Sequence, residues 1–193
     1  MILIVLPDIT IEDRLLAQAK QGDREALMRI YDTYFPPIYN FIRLRVEDTL
    51  LAEDLASDVF IKLVETLRGR NAPHHSLRGW LFKVARNRLH DHYRANKNLT
   101  SEAIEEWMPG PSDDEPEEQF IRTLQVDQAR TALLKLSDDQ QEVLILRFGQ
   151  GLGLQETADI MDRNVSAIKS LQFRAVNALR QILGETRQEL SNG

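Results

Sequence analysis

The stretch LQETADIMDRNVSAIKSLQFRAVNALR, residues 154–180, decides the fold. Leu154 to Met161 reads as a short helix with Ala158 at a close-packing position, followed by the turn Asp162-Arg163-Asn164. Asn164 is a good N-cap, so a second, longer helix is predicted from Val165. Short helix, tight turn and longer helix make the layout of a helix-turn-helix, whose second helix lies in the major groove of DNA. At about 100° per residue, Val165, Ile168, Leu171, Ala175, Leu179 and Ile182 share one apolar face. Ser166, Lys169, Ser170, Phe173, Arg174 and Asn177 share the other. From Arg163 to Arg180 there are four basic residues and no acidic one, a bias that suits a phosphate-lined groove. A helical Phe is ordinarily core, but Phe173 projects from the middle of the polar face, where it would meet base edges or thymine methyls. Arg163, Ser166, Lys169, Ser170, Phe173 and Arg174 are therefore the candidate duplex-reading residues.

Upstream of this stretch the chain is helical throughout, since apolar residues recur at helical and not strand spacing. A first short helix ends at Gly22, and Asp23 opens a longer one. Pro36-Pro37 are expected to interrupt or kink that second helix before its pattern resumes at Ile38. Leu51, Leu55, Val59, Leu63 and Leu67 mark a third helix over about 48–67, and a fourth runs from about Leu77 to Ala95. Pro109-Gly110-Pro111, Pro116 and the run Asp113-Asp114-Glu115 then read as a linker. Four more helices are predicted at about 119–135, 138–148, 154–161 and 165–183, with Ser137 and Gln140 as a capping box for the second. The expectation is an all-α protein of two small helical domains, 1–95 and 127–193, joined by a flexible acidic linker, 96–126.

Charge supports that division. The 193 residues carry a net charge of −6, which alone argues against nucleic acid. The linker holds 2 basic and 8 acidic residues, however, while residues 1–95 net +1 and residues 127–193 net −1. All the excess acidity sits in the linker. The absence of cysteine excludes disulfides, thiolate zinc sites and cysteine nucleophiles. Ile2 to Leu6, ended by Pro7, is too short for a membrane span and lacks the flanks of a signal peptide, so a cytoplasmic protein without membrane insertion is expected.

The fourth helix carries a second candidate surface. Leu77, Trp80, Leu81, Val84 and Ala85 share a core face, while Arg78, Lys83, Arg86 and Arg94 gather opposite, with Phe82 and Tyr93 between them. Cations interleaved with aromatics suit single-stranded or melting DNA. Phe60 to Arg94 contains eight basic residues and two acidic ones. A solvated basic face remains the plainer reading of this segment alone.

Taken in order, these segments resemble the extracytoplasmic-function sigma factors of bacterial RNA polymerase. Ala52-Glu53-Asp54-Leu55-Ala56-Ser57-Asp58-Val59-Phe60 is similar to the family's polymerase-binding helix. Gly79-Trp80-Leu81 through Val84-Ala85-Arg86-Asn87, with Asp91 and Arg94, resembles its promoter-melting helix. Leu136-Ser137 through Arg147, Glu156-Thr157-Ala158 and Ala167 through Arg180 resemble its minus-35 reader. Ser57, the pair His74-His75 and Asn164-Val165-Ser166 depart from the commoner residues at those places.

The resemblance implies a dissociable initiation factor without catalysis or cofactor, whose partners are core RNA polymerase, promoter DNA and an anti-sigma factor. Asp54, Leu55, Asp58, Phe60 and Lys62 would dock on the polymerase. Arg70, Asn71, His74, His75, Ser76, Arg78, Trp80, Lys83, Arg86 and Asn87 would take the minus-10 strand. The rival is a one-component helix-turn-helix regulator that binds an operator without polymerase, but no ligand motif supports it. A metal site is not expected, because His90 and His92 stand two apart on a helix and face different directions. No His-Glu-x-x-His motif or glycine-rich phosphate loop points to an enzyme.

Overall fold

The computed structural model describes residues 9–46, 48–67, 69, 73, 76–96 and 129–191. Among them there are helices and no strand. Helix α1 spans Ile9–Lys20, α2 Arg24–Arg43, α3 Thr49–Leu67 and α4 Leu77–Asn96. A helical segment at 129–134 is α5, followed by α6 at Asp138–Leu144, a π-helical turn at Ile145–Gly149, α7 at Leu154–Ile160 and α8 at Val165–Ser191. The expected linker falls outside the described residues apart from Asn96, which ends α4. So do residues 119–128 of the helix predicted there.

Local chemistry sets these boundaries. Gly22, at φ 88°, supplies the left-handed residue that turns the chain from α1 into α2. Asp23 caps α2, its carboxylate accepting from the Glu25 and Ala26 N–H groups at 2.9 and 3.3 Å. Asp48 does the same for α3 through Leu50 and Leu51. At α4 the Ser76 hydroxyl accepts from the Gly79 N–H, and the buried Glu12 of α1 accepts from the Arg78 N–H at 2.6 Å.

The expected interruption at Pro36-Pro37 does not occur; α2 is helical through both. The prolines withdraw the N–H bonds that would reach the carbonyls of Asp32 and Thr33, and an interior proline costs roughly 3 kcal/mol. Beyond them Ile38, Phe41 and Ile42 are fully buried, and each such side chain contributes roughly 1.5–3 kcal/mol. Ending the helix early would forfeit all three, so tertiary burial outweighs the local preference.

In the first four helices the core is built from Ile30, Tyr34, Ile38 and Phe41 of α2, Val59 and Leu63 of α3, and Leu81, Phe82 and Leu89 of α4. The second half packs α6 and α7 against α8 through Val143, Leu146, Ala158, Ile160, Ile168, Leu171 and Ala175. The two halves are also in contact, α4 lying against α7 and α2 against the π-helical turn. Arg130 of α5 donates to the Val46 carbonyl across the same boundary at 3.2 Å.

Candidate nucleic-acid interface

The turn that aims α8 is fixed by two residues. Asp162 occupies the left-handed region at φ 53°, which Asp tolerates better than most side chains. Asn164 then caps α8, its side-chain oxygen accepting from the Ala167 N–H at 2.7 Å. Ile168, Leu171 and Ala175 are buried, with Val165, Leu179 and Ile182 packed partly against them, which is the apolar face expected. Ser166, Lys169, Ser170, Phe173, Arg174 and Asn177 are exposed together on the other face. Phe173 is 69 % exposed, so its ring is available to a partner and is not core. The Arg174 guanidinium has only a 3.4 Å contact to its own helix, at the Ser170 carbonyl. Arg163 is committed instead to Asp139 of α6, at 2.5 Å.

Beside this face lies an open groove of about 510 Å³ between the π-helical turn, α7 and α8. Phe148, 58 % exposed, lines it together with Phe173. Arg147 is held by the Gln172 side chain at 3.0 Å and by the Leu152 carbonyl. Neither Arg147 nor Phe148 was singled out as a site residue from the sequence, where they close a run of core residues.

Helix α4 departs from expectation. Phe82, placed between the basic side chains by helical spacing, is fully buried, with its ring edge-on to Phe41 at 5.5 Å. Tyr93 is half-buried and donates its hydroxyl to the Arg45 carbonyl. Trp80 packs partly against the core, and Ser76 is occupied as a cap. Asn87 is exposed. Arg70, Asn71, His74 and His75 lie outside the described residues.

Three basic side chains of α4 are ion-paired with the second half, while Arg94 is exposed. Arg78 pairs with Glu156 of α7, and Lys83 with Asp162 of the turn at 2.5 Å. Arg86 pairs with Glu142 of α6 at 2.7 Å and reaches Asp162 at 3.7 Å. Glu142 is completely buried, with Arg45 and His90 also 3.9 Å from its carboxylate. Burial pushes the Glu142 carboxyl above its usual range, against the pull of Arg45 and Arg86. At Glu156 burial also works upward, but the hydrogen bonds from Arg78 and the Gly153 N–H and the Arg78 charge prevail and hold it low. His90 is pushed down, first by burial and then by Arg86 and Arg45.

On α3, Asp54 and Lys62 are exposed and Asp58 is half-buried. Leu55 and Phe60 are buried, so most of their area is spent inside the domain. Phe60 stacks edge-on to Tyr31 at 5.0 Å, and Tyr31 lies 4.9 Å from Phe35. The apolar side chains that α3 offers outward are Leu50, Ile61 and Val64, which sequence spacing did not pick out. Among the described residues no three metal-ligating side chains stand together. No described helix is long and apolar enough to cross a membrane.

Two family profiles match in order along the chain: Sigma-70 region 2 over residues 30–99, and Sigma-70, region 4 over residues 132–181. RNA polymerase sigma factor YlaC of Bacillus subtilis is 31 % identical over 168 residues, covering 86 % of this chain and 96 % of the relative. ECF RNA polymerase sigma factor SigX of the same organism is 30 % identical over 174 residues, covering 86 % and 88 %. The chain belongs to the extracytoplasmic-function sigma factors.

ECF RNA polymerase sigma factor BldN of Streptomyces coelicolor is 32 % identical over 170 residues, 88 % of this sigma factor, which spans 64 % of that longer relative. The fold is also that of solved sigma structures. CnrH in complex with the cytosolic domain of CnrY superposes with a TM-score of 0.67 at 21 % identity, covering 90 % of this chain and 97 % of that one. The sigma factor RpoE in complex with the anti-sigma factor NepR from Bartonella quintana gives 0.63 at 23 % identity, covering 81 % and 96 %. Region 2 of the sigma factor thus takes in most of α2 with α3 and α4, and region 4 runs from α5 into α8. This membership sets aside the one-component regulator.

Proposed function

We propose that the chain directs promoter-specific initiation as a dissociable, non-catalytic subunit of cytoplasmic RNA polymerase. The observation that carries this reading is the exposed face of α8. There Lys169, Ser170, Phe173 and Arg174 stand together on a helix anchored by a buried apolar stripe. Phosphate contacts from Lys169 and Arg174 would set register in the groove of the minus-35 element, and Phe173 would supply apolar contact to a base edge. Arg163 and Ser166 would stand at the entry of the same helix.

Arg78, Lys83 and Arg86 of α4, with Trp80, Asn87 and the residues Arg70 to Ser76, would take the separated strand at the minus-10 element. Asp54, Asp58 and Lys62, beside Leu55 and Phe60, would dock on the polymerase, charges fixing register and apolar area supplying energy. The domain limits are 1–95 and 127–193, with 96–126 tethering two weak DNA contacts whose combined affinity depends on promoter spacing. Relatives solved with inhibitory partners support an anti-sigma factor as the protein's control. The test is a reconstituted holoenzyme on genomic DNA, with transcript starts sequenced. Starts should cluster downstream of one shared pair of elements; starts no different from those of core polymerase alone would overturn the reading.

A further inference from the structure

We propose that α1 positions the part of the chain that meets the minus-10 strand, with Lys20 and Glu12 as its positioning residues. The inference rests on the reading of Arg70 to Ser76 and α4 as the strand-binding surface. The Lys20 ammonium donates to the Pro73 carbonyl at 2.9 Å, across 53 positions of sequence. The Glu12 carboxylate accepts from the Arg78 N–H at 2.6 Å, across 66 positions. One helix thus holds that surface on both sides of Ser76.

The face of α1 is laid out for this. Glu12, Leu16 and Lys20 recur every four residues on one side of the helix, which sets the acid and the cation about 12 Å apart along its axis. Leu16 and Ala19 supply the buried apolar area, so packing alone does not call for a carboxylate at position 12. Glu12 is nonetheless buried, and a buried carboxylate is costly unless it is bonded. Its bond goes to the positive end of α4, where the first N–H groups have no partner within the helix. The Ser76 hydroxyl takes the Gly79 N–H and Glu12 the Arg78 N–H, so two caps fix the first turn. At Pro73 the backbone has no N–H to be held by, and Lys20 takes the carbonyl it does offer. A strand docking on a surface already set loses less affinity to ordering than one that must order it.

The test uses holoenzyme assembled from core RNA polymerase and the full chain. The probes are fluorescent single-stranded oligodeoxynucleotides carrying the minus-10 element found at its transcript starts, or that element with one base changed. Lys20 is exposed, so replacing it leaves the core intact. Lys20→Met should lower affinity for the matched strand about tenfold, the order of one lost charge-assisted hydrogen bond, and reduce its preference over the mismatched strand. Lys20→Arg, which keeps a charged donor, should restore both. Glu12→Gln should reduce the same preference, although losing a negative charge would by electrostatics alone strengthen strand binding. Arg14→Met, an equal loss of charge at an exposed position of α1, should change neither readout. Affinity for a minus-35 duplex should hold in every variant. Strand affinity and preference unaltered by Lys20→Met overturn the proposal, as does a gain with Glu12→Gln. A loss that Lys20→Arg does not restore, that Arg14→Met equals, or that the minus-35 duplex shares overturns it too. An unmodified holoenzyme without preference for the matched strand overturns the strand-binding reading itself, and the positioning role with it.

Discussion

Replacing Phe82 by alanine separates two uses of an aromatic residue on a basic helix. The ring is fully buried and lies edge-on to Phe41 at 5.5 Å and 88°. Truncating a buried Phe to Ala costs roughly 3–5 kcal/mol once the cavity is included. A two-state domain of this size has only about 5–15 kcal/mol in total, so the change consumes much of region 2's stability. With a urea slope of about 2 kcal/mol per molar, the midpoint falls by roughly 2 M. Trp80, on the same helix and packed partly against the core, reports the transition by fluorescence. A base-stacking side chain would behave oppositely, losing about 1–3 kcal/mol of strand binding with the fold unchanged. A midpoint displaced by less than about 0.5 M, together with lost strand binding, would refute the assignment of Phe82 to the core.

Arg174→Ala should weaken binding of holoenzyme to a minus-35 duplex by about tenfold, within the usual range for a lost base or phosphate contact, and leave core affinity unchanged; fluorescence anisotropy measures both. Asp54→Ala with Ile61→Ala should do the reverse, lowering affinity for core polymerase in a pull-down titration with the urea midpoint held, since both side chains are exposed. Asp23→Ala should cost about 1 kcal/mol of stability through the lost cap of α2, with DNA affinity intact, as thermal unfolding beside a DNA titration would show.

Much of this was legible in the sequence where local chemistry decides the outcome. The alternation of faces along α8, the Asn164 cap and the Asp23 cap each depend on residues within a few positions of one another, and each is present. The continuity of α2 through Pro36-Pro37 was not legible, because it is settled by the burial of Ile38, Phe41 and Ile42 among side chains of α3 and α4. Phe82 was misplaced for the same reason. Periodicity locates an apolar stripe, but the partner that widens it, Phe41, comes from another helix. Glu142 reads in sequence as one more surface acid in a helix beginning Asp138-Asp139. Only the approach of α4 and of Arg45 makes it the buried centre of a charge cluster. The basic residues of α4 are plain in the sequence, yet nothing local to them tells that opposing charges come from 56 to 79 positions further on.

The division of labour between chain and polymerase is tested most directly by a gel shift on promoter duplex with and without core RNA polymerase. Sequence-specific retention is expected only with core present, because α8 alone reads a short element while Arg78, Lys83 and Arg86 of α4 are paired with acids of region 4. Tight, sequence-specific binding of that duplex by the free chain would contradict it.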